Sequence, residues 1–152
     1  MLRALALSAL MLTSPALTSA QSLKGVWLGV SQVTINGVDD VQVVEFTQPR
    51  YLIYTDAFFS WSFVGEGERP TGDLTDEQFL QVASEYNTAA GTYIRDGTSI
   101  RYNIRAAINP NLSAAANQPL IREIRVLTAT RLVTQVTNAD GVTTLLVYDR
   151  AE

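Results

Sequence analysis

The chain has 152 residues, with 11 basic and 15 acidic side chains and neither cysteine nor histidine. This composition excludes disulfides, thiolate nucleophiles, histidine bases and the common zinc, haem and copper sites. A net charge of −4 makes nucleic acid an unfavourable partner. No loop carries the spaced carboxylates of a calcium site, so we predict neither a metal nor another cofactor.

Residues 1–20 have the three parts of a secretory signal peptide. Arg3 supplies the basic start, Ala4 to Leu12 form a short apolar core, and Thr18-Ser19-Ala20 places small residues before a cleavage point. The apolar run is too short to span a bilayer. We therefore expect cleavage before Gln21, no stable membrane insertion afterwards, and export to the periplasm or the cell exterior.

The remaining residues, 21–152, suit one domain and show the alternation of apolar and polar residues that is typical of strands. Asn36-Gly37 and Asp96-Gly97 are the strongest hairpin signals between them. Nine strands are predicted: Gly25 to Ile35, Val41 to Thr47, Arg50 to Thr55, Phe58 to Val64, Thr92 to Arg95, Ser99 to Ile108, Leu120 to Leu127, Arg131 to Thr137 and Val142 to Tyr148. We predict an all-β fold, an antiparallel up-and-down barrel of about eight strands, with two segments merged or one irregular.

One helix is predicted between Thr75 and Ala90, halfway along the chain. Thr75 and Gln78 have the spacing of a capping box. An apolar face that includes Phe79 lies opposite a polar face, so we expect the apolar face to pack on the sheet or to cover one end of the barrel. Capping and the helix dipole explain the acidic first turn better than acid–base chemistry does.

Inward-facing side chains are the candidates for ligand contact. The segment after Asp96-Gly97 carries one apolar face made of Ile100, Tyr102, Ile104, Ala106 and Ile108. Aromatic residues share one face of the segment from Phe58 to Val64. The candidate ligand-binding residues are Phe59, Trp61, Tyr93, Tyr102 and Ile104. The same residues would also suit a filled core, because large aromatic side chains are mostly packing residues.

The segment from Leu120 to Leu127 allows two orientations. In one, Arg122 points into the barrel, and in the other Arg125 does. An inward Arg122 would be a buried cation that needs a carboxylate or the anionic head group of a ligand. The sequence leaves both orientations open.

Several motifs in this order and spacing resemble the bacterial lipocalin-like domain family. The similarity spans residues 21–152 and is carried by Gly25-Val26-Trp27, Tyr51 to Thr55 with Phe59-Ser60, Gly91-Thr92-Tyr93, Asn109-Pro110-Asn111 and Arg131-Leu132. The resemblance implies a calycin-type barrel with an internal cavity, in a family whose members mostly have no assigned activity. It supplies no catalytic residue.

The resemblance also implies a structural role for Trp27. In calycin barrels the tryptophan of the G-x-W motif closes one end of the barrel beneath a stacked arginine. Arg150 is the first candidate for that arginine here, and Arg131 is the second. Such a cation–π contact contributes roughly 0.5 to 2 kcal/mol.

Three classes of function follow. The first is a binding protein that holds a small hydrophobic or amphipathic molecule in the barrel, by analogy of fold. The second is a scaffold or interaction protein with a filled interior. The third, and least favoured, is a cofactor-free isomerase or cyclase in which Tyr93, Tyr102 or a buried carboxylate supplies acid–base help; the absence of histidine and cysteine counts against it.

Overall fold

The computed structural model describes residues 21–65, 72–109 and 119–151. The signal peptide predicted for residues 1–20 lies outside this part of the chain. In chain order, the elements within it are β1 (Gly25–Ile35), β2 (Val41–Glu45), β3 (Arg50–Tyr54), β4 (Phe58–Val64), α1 (Asp76–Glu85), β5 (Tyr86–Asp96), β6 (Ser99–Ala107), β7 (Leu120–Leu127), β8 (Arg131–Thr137) and β9 (Thr143–Arg150).

Eight of these strands close into an antiparallel barrel. Strands β3 to β9 follow one another around it, β3 pairs with the first half of β1, and β9 returns to pair with β1 along most of its length. Strand β2 pairs with the second half of β1, so β2 and β3 share one edge of that strand. Pro49 lies between them, where its missing N–H interrupts the ladder. The predicted barrel is confirmed, and the shared edge accounts for the ninth segment.

The two ends of the barrel differ. At one end, which we call the tryptophan end, short turns join β3 to β4, β5 to β6 and β7 to β8, and Trp27 and Arg150 lie opposite each other in the register. At the other end, the helix end, α1 connects β4 to β5. Residues 66–71 and 110–118 lie outside the described part of the chain.

The helix begins as predicted and ends earlier. Thr75 and Gln78 form the capping box, because each side chain accepts a hydrogen bond from the other residue's backbone N–H. The predicted helix reached Ala90, but α1 ends at Glu85 and the following residues belong to β5. Strand β4 offers these residues a complete row of backbone partners, and Thr88 and the aromatic Tyr86 favour a strand.

The expected packing of the helix is wrong for the described part of the barrel. No residue of α1 is buried, and Phe79 and Leu80 are 62% and 67% exposed. One physical reason is that β5 begins directly after α1, so there are no connecting residues that would let the helix fold back onto the sheet. Within the described residues, no helix has the length and apolar character to cross a bilayer.

A β-bulge changes the predicted inner face of β6. Ile100, Tyr102 and Ile104 are buried as predicted, but Ala106 and Ile108 are exposed. Gly91 pairs with Ile104 and its neighbour Ala90 pairs with Ala106, so Arg105 is an extra residue on β6. An extra residue reverses the alternation beyond it.

Candidate functional site

Four of the five predicted ligand-binding residues come together inside the barrel. Phe59, Trp61, Tyr102 and Ile104 are all buried. The centroid of the Phe59 ring lies 5.1 Å from that of Trp61 and 4.8 Å from that of Tyr102, and the Trp61 and Tyr102 centroids are 5.9 Å apart. We call these three rings the aromatic cluster.

The strand between β4 and β6 makes this cluster possible. Strand β5 separates the two, yet its inner face carries only Ala89 and Gly91 at this level, paired with Trp61 and Phe59 respectively. Since neither residue has a side chain larger than a methyl group, the rings of β4 and β6 meet across it. The ring contacts between β4 and β6 are therefore possible because the two residues of β5 between them are small.

The fifth predicted residue, Tyr93, lies at the margin of the cluster. It is half-buried, its ring meets that of Tyr54 edge-on at 4.9 Å, and its hydroxyl donates to the carbonyl of Thr55 at 2.8 Å. The hydroxyl of Tyr93 is therefore hydrogen-bonded to the turn between β3 and β4. Tyr54 was missing from the predicted set; it is buried, and its hydroxyl shares a hydrogen bond with that of Tyr102. The alternation of Leu52 and Tyr54 in β3 was the signal that could have found it.

Three buried phenols lie within the field of one arginine. Burial raises the pKa of Tyr54, Tyr102 and Tyr148, and the positive charge of Arg122 lowers the pKa of all three to a smaller extent. Desolvation is the largest cause in each case, so the three hydroxyls stay neutral near pH 7. Arg122 consequently shares the barrel interior with uncharged hydroxyls, two of which are already hydrogen-bonded to each other.

The structure decides the orientation of β7 in favour of Arg122. Arg122 lies on the inner face, opposite the buried Ile100 of β6, whereas Arg125 is exposed and donates from Nε to the side-chain oxygen of Gln135 at 2.6 Å. A register shift between Ile124 and Val126 lets both Ile124 and Leu127 be buried. Each of the two sequence alternatives was therefore right for one part of the strand.

Nη1 of Arg122 and Oγ1 of Thr134 lie on the inner wall and are buried without a partner in the described part of the chain. Thr134 is fully buried and pairs with Ile124, two residues along β7 from Arg122. Buried polar groups are normally hydrogen-bonded, and exceptions often lie at functional sites.

The inner wall of the described strands carries positive charge only. Every aspartate and glutamate of these strands lies on the outer face or at an exposed strand end: Glu45, Asp96, Glu123 and Asp149. Arg50 and Arg95 also face inward by register, and the guanidinium of Arg50 lies 3.7 Å from the centroid of the Phe46 ring. The described residues contain no group of three acidic, histidine or cysteine side chains that could hold a metal ion.

Trp27 and Arg150 close the tryptophan end. The guanidinium of Arg150 lies 4.2 Å from the Trp27 ring and donates to the backbone carbonyls of Ala129, Lys24 and Ser22 at 2.7, 2.8 and 3.2 Å. The indole N–H donates to the carbonyl of Leu23 at 2.7 Å. Arg150 is thus confirmed as the stacked arginine, whereas Arg131 forms an outer ion pair with Asp149.

Burial decreases from the tryptophan end to the helix end. Trp27, Ile100 and Leu132 have no exposed surface. Toward the helix end, the inward-facing side chains are only half-buried: Gln32, Thr34, Arg50, Phe63, Asn87, Leu120, Arg122, Val136 and Thr144. The barrel interior is thus more accessible from the helix end.

No family model and no curated protein matches this chain. Among solved structures, an uncharacterised protein from Bacteroides eggerthii is similar with 12% identity and a TM-score of 0.46, over 85% of this chain and 99% of that one. A redesigned β-barrel is similar with 14% identity and a TM-score of 0.40, over 86% and 92% of the two chains. At these values the two structures support no conclusion about family or function.

Proposed function

We propose that this protein is an exported, lipocalin-like barrel that binds a small hydrophobic or amphipathic molecule in its interior. The observation that carries the proposal is the change in side-chain burial along the inner wall. The inward-facing side chains are fully buried at the tryptophan end, which Trp27 and Arg150 close, and only half-buried toward the helix end. A barrel of eight strands is wide enough to be filled by side chains or to hold one small ligand. A mixed apolar and polar wall that is reached from one end suits the second case.

A filled barrel that serves as a scaffold is the second candidate. The close ring contacts of Phe59, Trp61 and Tyr102 favour it, because these three side chains occupy the middle of the barrel themselves. The half-buried side chains nearer the helix end favour ligand binding instead. The two candidates differ in whether a molecule enters beside Trp61, which makes this residue a useful reporter.

Tryptophan fluorescence distinguishes the two candidates. The chain has two tryptophans, so Trp27→Phe leaves only Trp61 and Trp61→Phe leaves only Trp27. We expect titration with decan-1-ol to change the emission of the Trp61-only protein and to leave the Trp27-only protein unchanged. Trp61 lies on the accessible side of the aromatic cluster, with its N–H 3.4 Å from the side-chain oxygen of Asn87, whereas Trp27 lies beneath Arg150.

Native mass spectrometry of protein from its own host complements this titration. A bound small molecule is the expected result. Unchanged emission from both single-tryptophan proteins, together with a mass equal to that of the bare chain, would favour the filled scaffold.

Export is part of the proposal and rests on the signal-like pattern of residues 1–20. N-terminal sequencing of the protein from the periplasm or the medium should find Gln21 as its first residue. Recovery of intact Met1 from the cytoplasm would contradict both the cleavage and the compartment.

A further inference from the structure

We propose that Arg122 receives the carboxylate head group of an amphiphile bound inside the barrel. The inference rests on the proposed function, since it names the chemical class of the ligand and the residue that recognises it. It predicts weaker binding of neutral amphiphiles and still weaker binding of cationic ones.

The first argument is the unpartnered nitrogen. Nη1 of Arg122 is buried, and in the described part of the chain nothing accepts a hydrogen bond from it. A buried guanidinium N–H group without an acceptor is unfavourable, because its lost hydration is not replaced. Arg125, three residues further on, lies outside with a partner in Gln135, so the chain does have ordinary places for arginine on this strand. An acceptor supplied by a ligand would offset the unfavourable burial.

The second argument is the charge of the groups around Arg122. The phenols of Tyr54, Tyr102 and Tyr148 point into the same barrel interior from β3, β6 and β9, and burial keeps all three neutral. No carboxylate of the described strands lies on the inner face, and Arg50 adds a further inward-facing positive charge. This environment favours an anion and disfavours a cation.

The third argument is the shape of the donor. A guanidinium presents paired N–H groups in a plane, which matches the two oxygens of a carboxylate. Half-buried apolar side chains continue from this level toward the helix end, among them Leu120 beside Arg122 on β7 and Val136 on β8. They offer an apolar path for the alkyl chain, so an amphiphile would bind with its head at Arg122 and its tail directed to the helix end.

The test compares four probes: decanoate, decan-1-ol, decyltrimethylammonium and acetate, each titrated while the emission of the Trp61-only protein is followed. The wild-type Arg122 protein should bind decanoate at least about tenfold more tightly than decan-1-ol, the effect expected of a charged hydrogen bond. Decyltrimethylammonium should bind more weakly than the alcohol. Acetate should not reproduce the response to decanoate, because it lacks the tail.

Matched variants assign the preference to one residue. Arg122→Met should bind decanoate and decan-1-ol equally, whereas Arg125→Met, the same change on the outer face of the same strand, should keep the preference. Arg122→Met should also unfold at a higher urea concentration than the wild type when no ligand is present, because it removes a half-buried cation that has an unpartnered buried nitrogen. A structural role for Arg122 would lower that midpoint.

The experiment distinguishes failure of the head-group proposal from failure of the proposed binding function. If decan-1-ol binds and decanoate has no advantage, or if Arg125→Met removes the advantage as well, the head-group proposal is overturned and the binding function stands. If neither decan-1-ol nor decanoate changes the emission of Trp61, both proposals are overturned. The comparison of probes on the unmutated Arg122 remains informative even if Arg122→Met does not fold.

Discussion

Trp27→Ala is expected to lower the free energy of unfolding by about 3 to 5 kcal/mol, the range for deleting a buried aromatic side chain. The indole has no exposed surface. Its N–H donates to the carbonyl of Leu23, and its ring supports the guanidinium of Arg150. The substitution therefore leaves a cavity at the tryptophan end and takes away the surface on which Arg150 stacks. Urea denaturation followed by circular dichroism measures the change.

Two variants control this experiment. Leu28→Ala changes the next residue on β1, which faces outward and is 38% exposed, and should cost less than about 1.5 kcal/mol. Trp27→Phe keeps a ring beneath Arg150 and loses the indole N–H, so about 1 to 2 kcal/mol is expected. If Trp27→Ala cost no more than Leu28→Ala, Trp27 would not be part of the stable core.

Gly91→Ala should lower the free energy of unfolding by about 3 kcal/mol, at the upper end of what overpacked cores lose. A Cβ atom at this position would overlap the carbonyl oxygen of Asn103 and would lie 3.0 Å from the backbone nitrogen of Arg105. Both atoms belong to the backbone of β6 around the bulge, so no side-chain rotation relieves the overlap. The backbone of the bulge has to move, and the contact of Phe59 with Tyr102 across Gly91 depends on its position.

The control for Gly91→Ala lies on the same strand. Ile94 faces outward and is 69% exposed, so Ile94→Ala should change stability by less than about 1 kcal/mol. Near-ultraviolet circular dichroism of both variants reports the packing of the aromatic rings. Equal stability of Gly91→Ala and the wild type would mean that β6 approaches β5 less closely here.

The candidate site was only partly predictable from sequence. Alternation along β4 and β6 identified Phe59, Trp61, Tyr102 and Ile104, because an inner face in a barrel shows directly in the spacing of apolar residues. Tyr54 and Tyr148 were missed: alternation with Leu52 and Leu146 marks them as inward-facing, but it does not show that their hydroxyls are buried. Arg122 was recognised as one of two possibilities, and only the pairing of β7 with β6 and β8 excluded Arg125.

Local pattern by itself determined much of the fold. Period-two alternation and turn residues placed all nine strands, and the bounds of β1, β4, β7 and β8 agree with the prediction. The capping box at Thr75 located the start of α1. These features depend on neighbours within a few residues, which is the range over which sequence pattern acts.

Tertiary structure decided whatever depends on a partner strand. The early end of α1 follows from the free edge of β4, to which Tyr86 and the residues after it pair. The bulges at Arg105 and Arg125 turn predicted inner faces outward, because an extra residue in one strand is defined only against the strand beside it. The lack of an anionic partner for Arg122 has the same origin. Closure of the barrel places three neutral phenols in the interior with it, from β3, β6 and β9, whereas no carboxylate of the described strands faces inward.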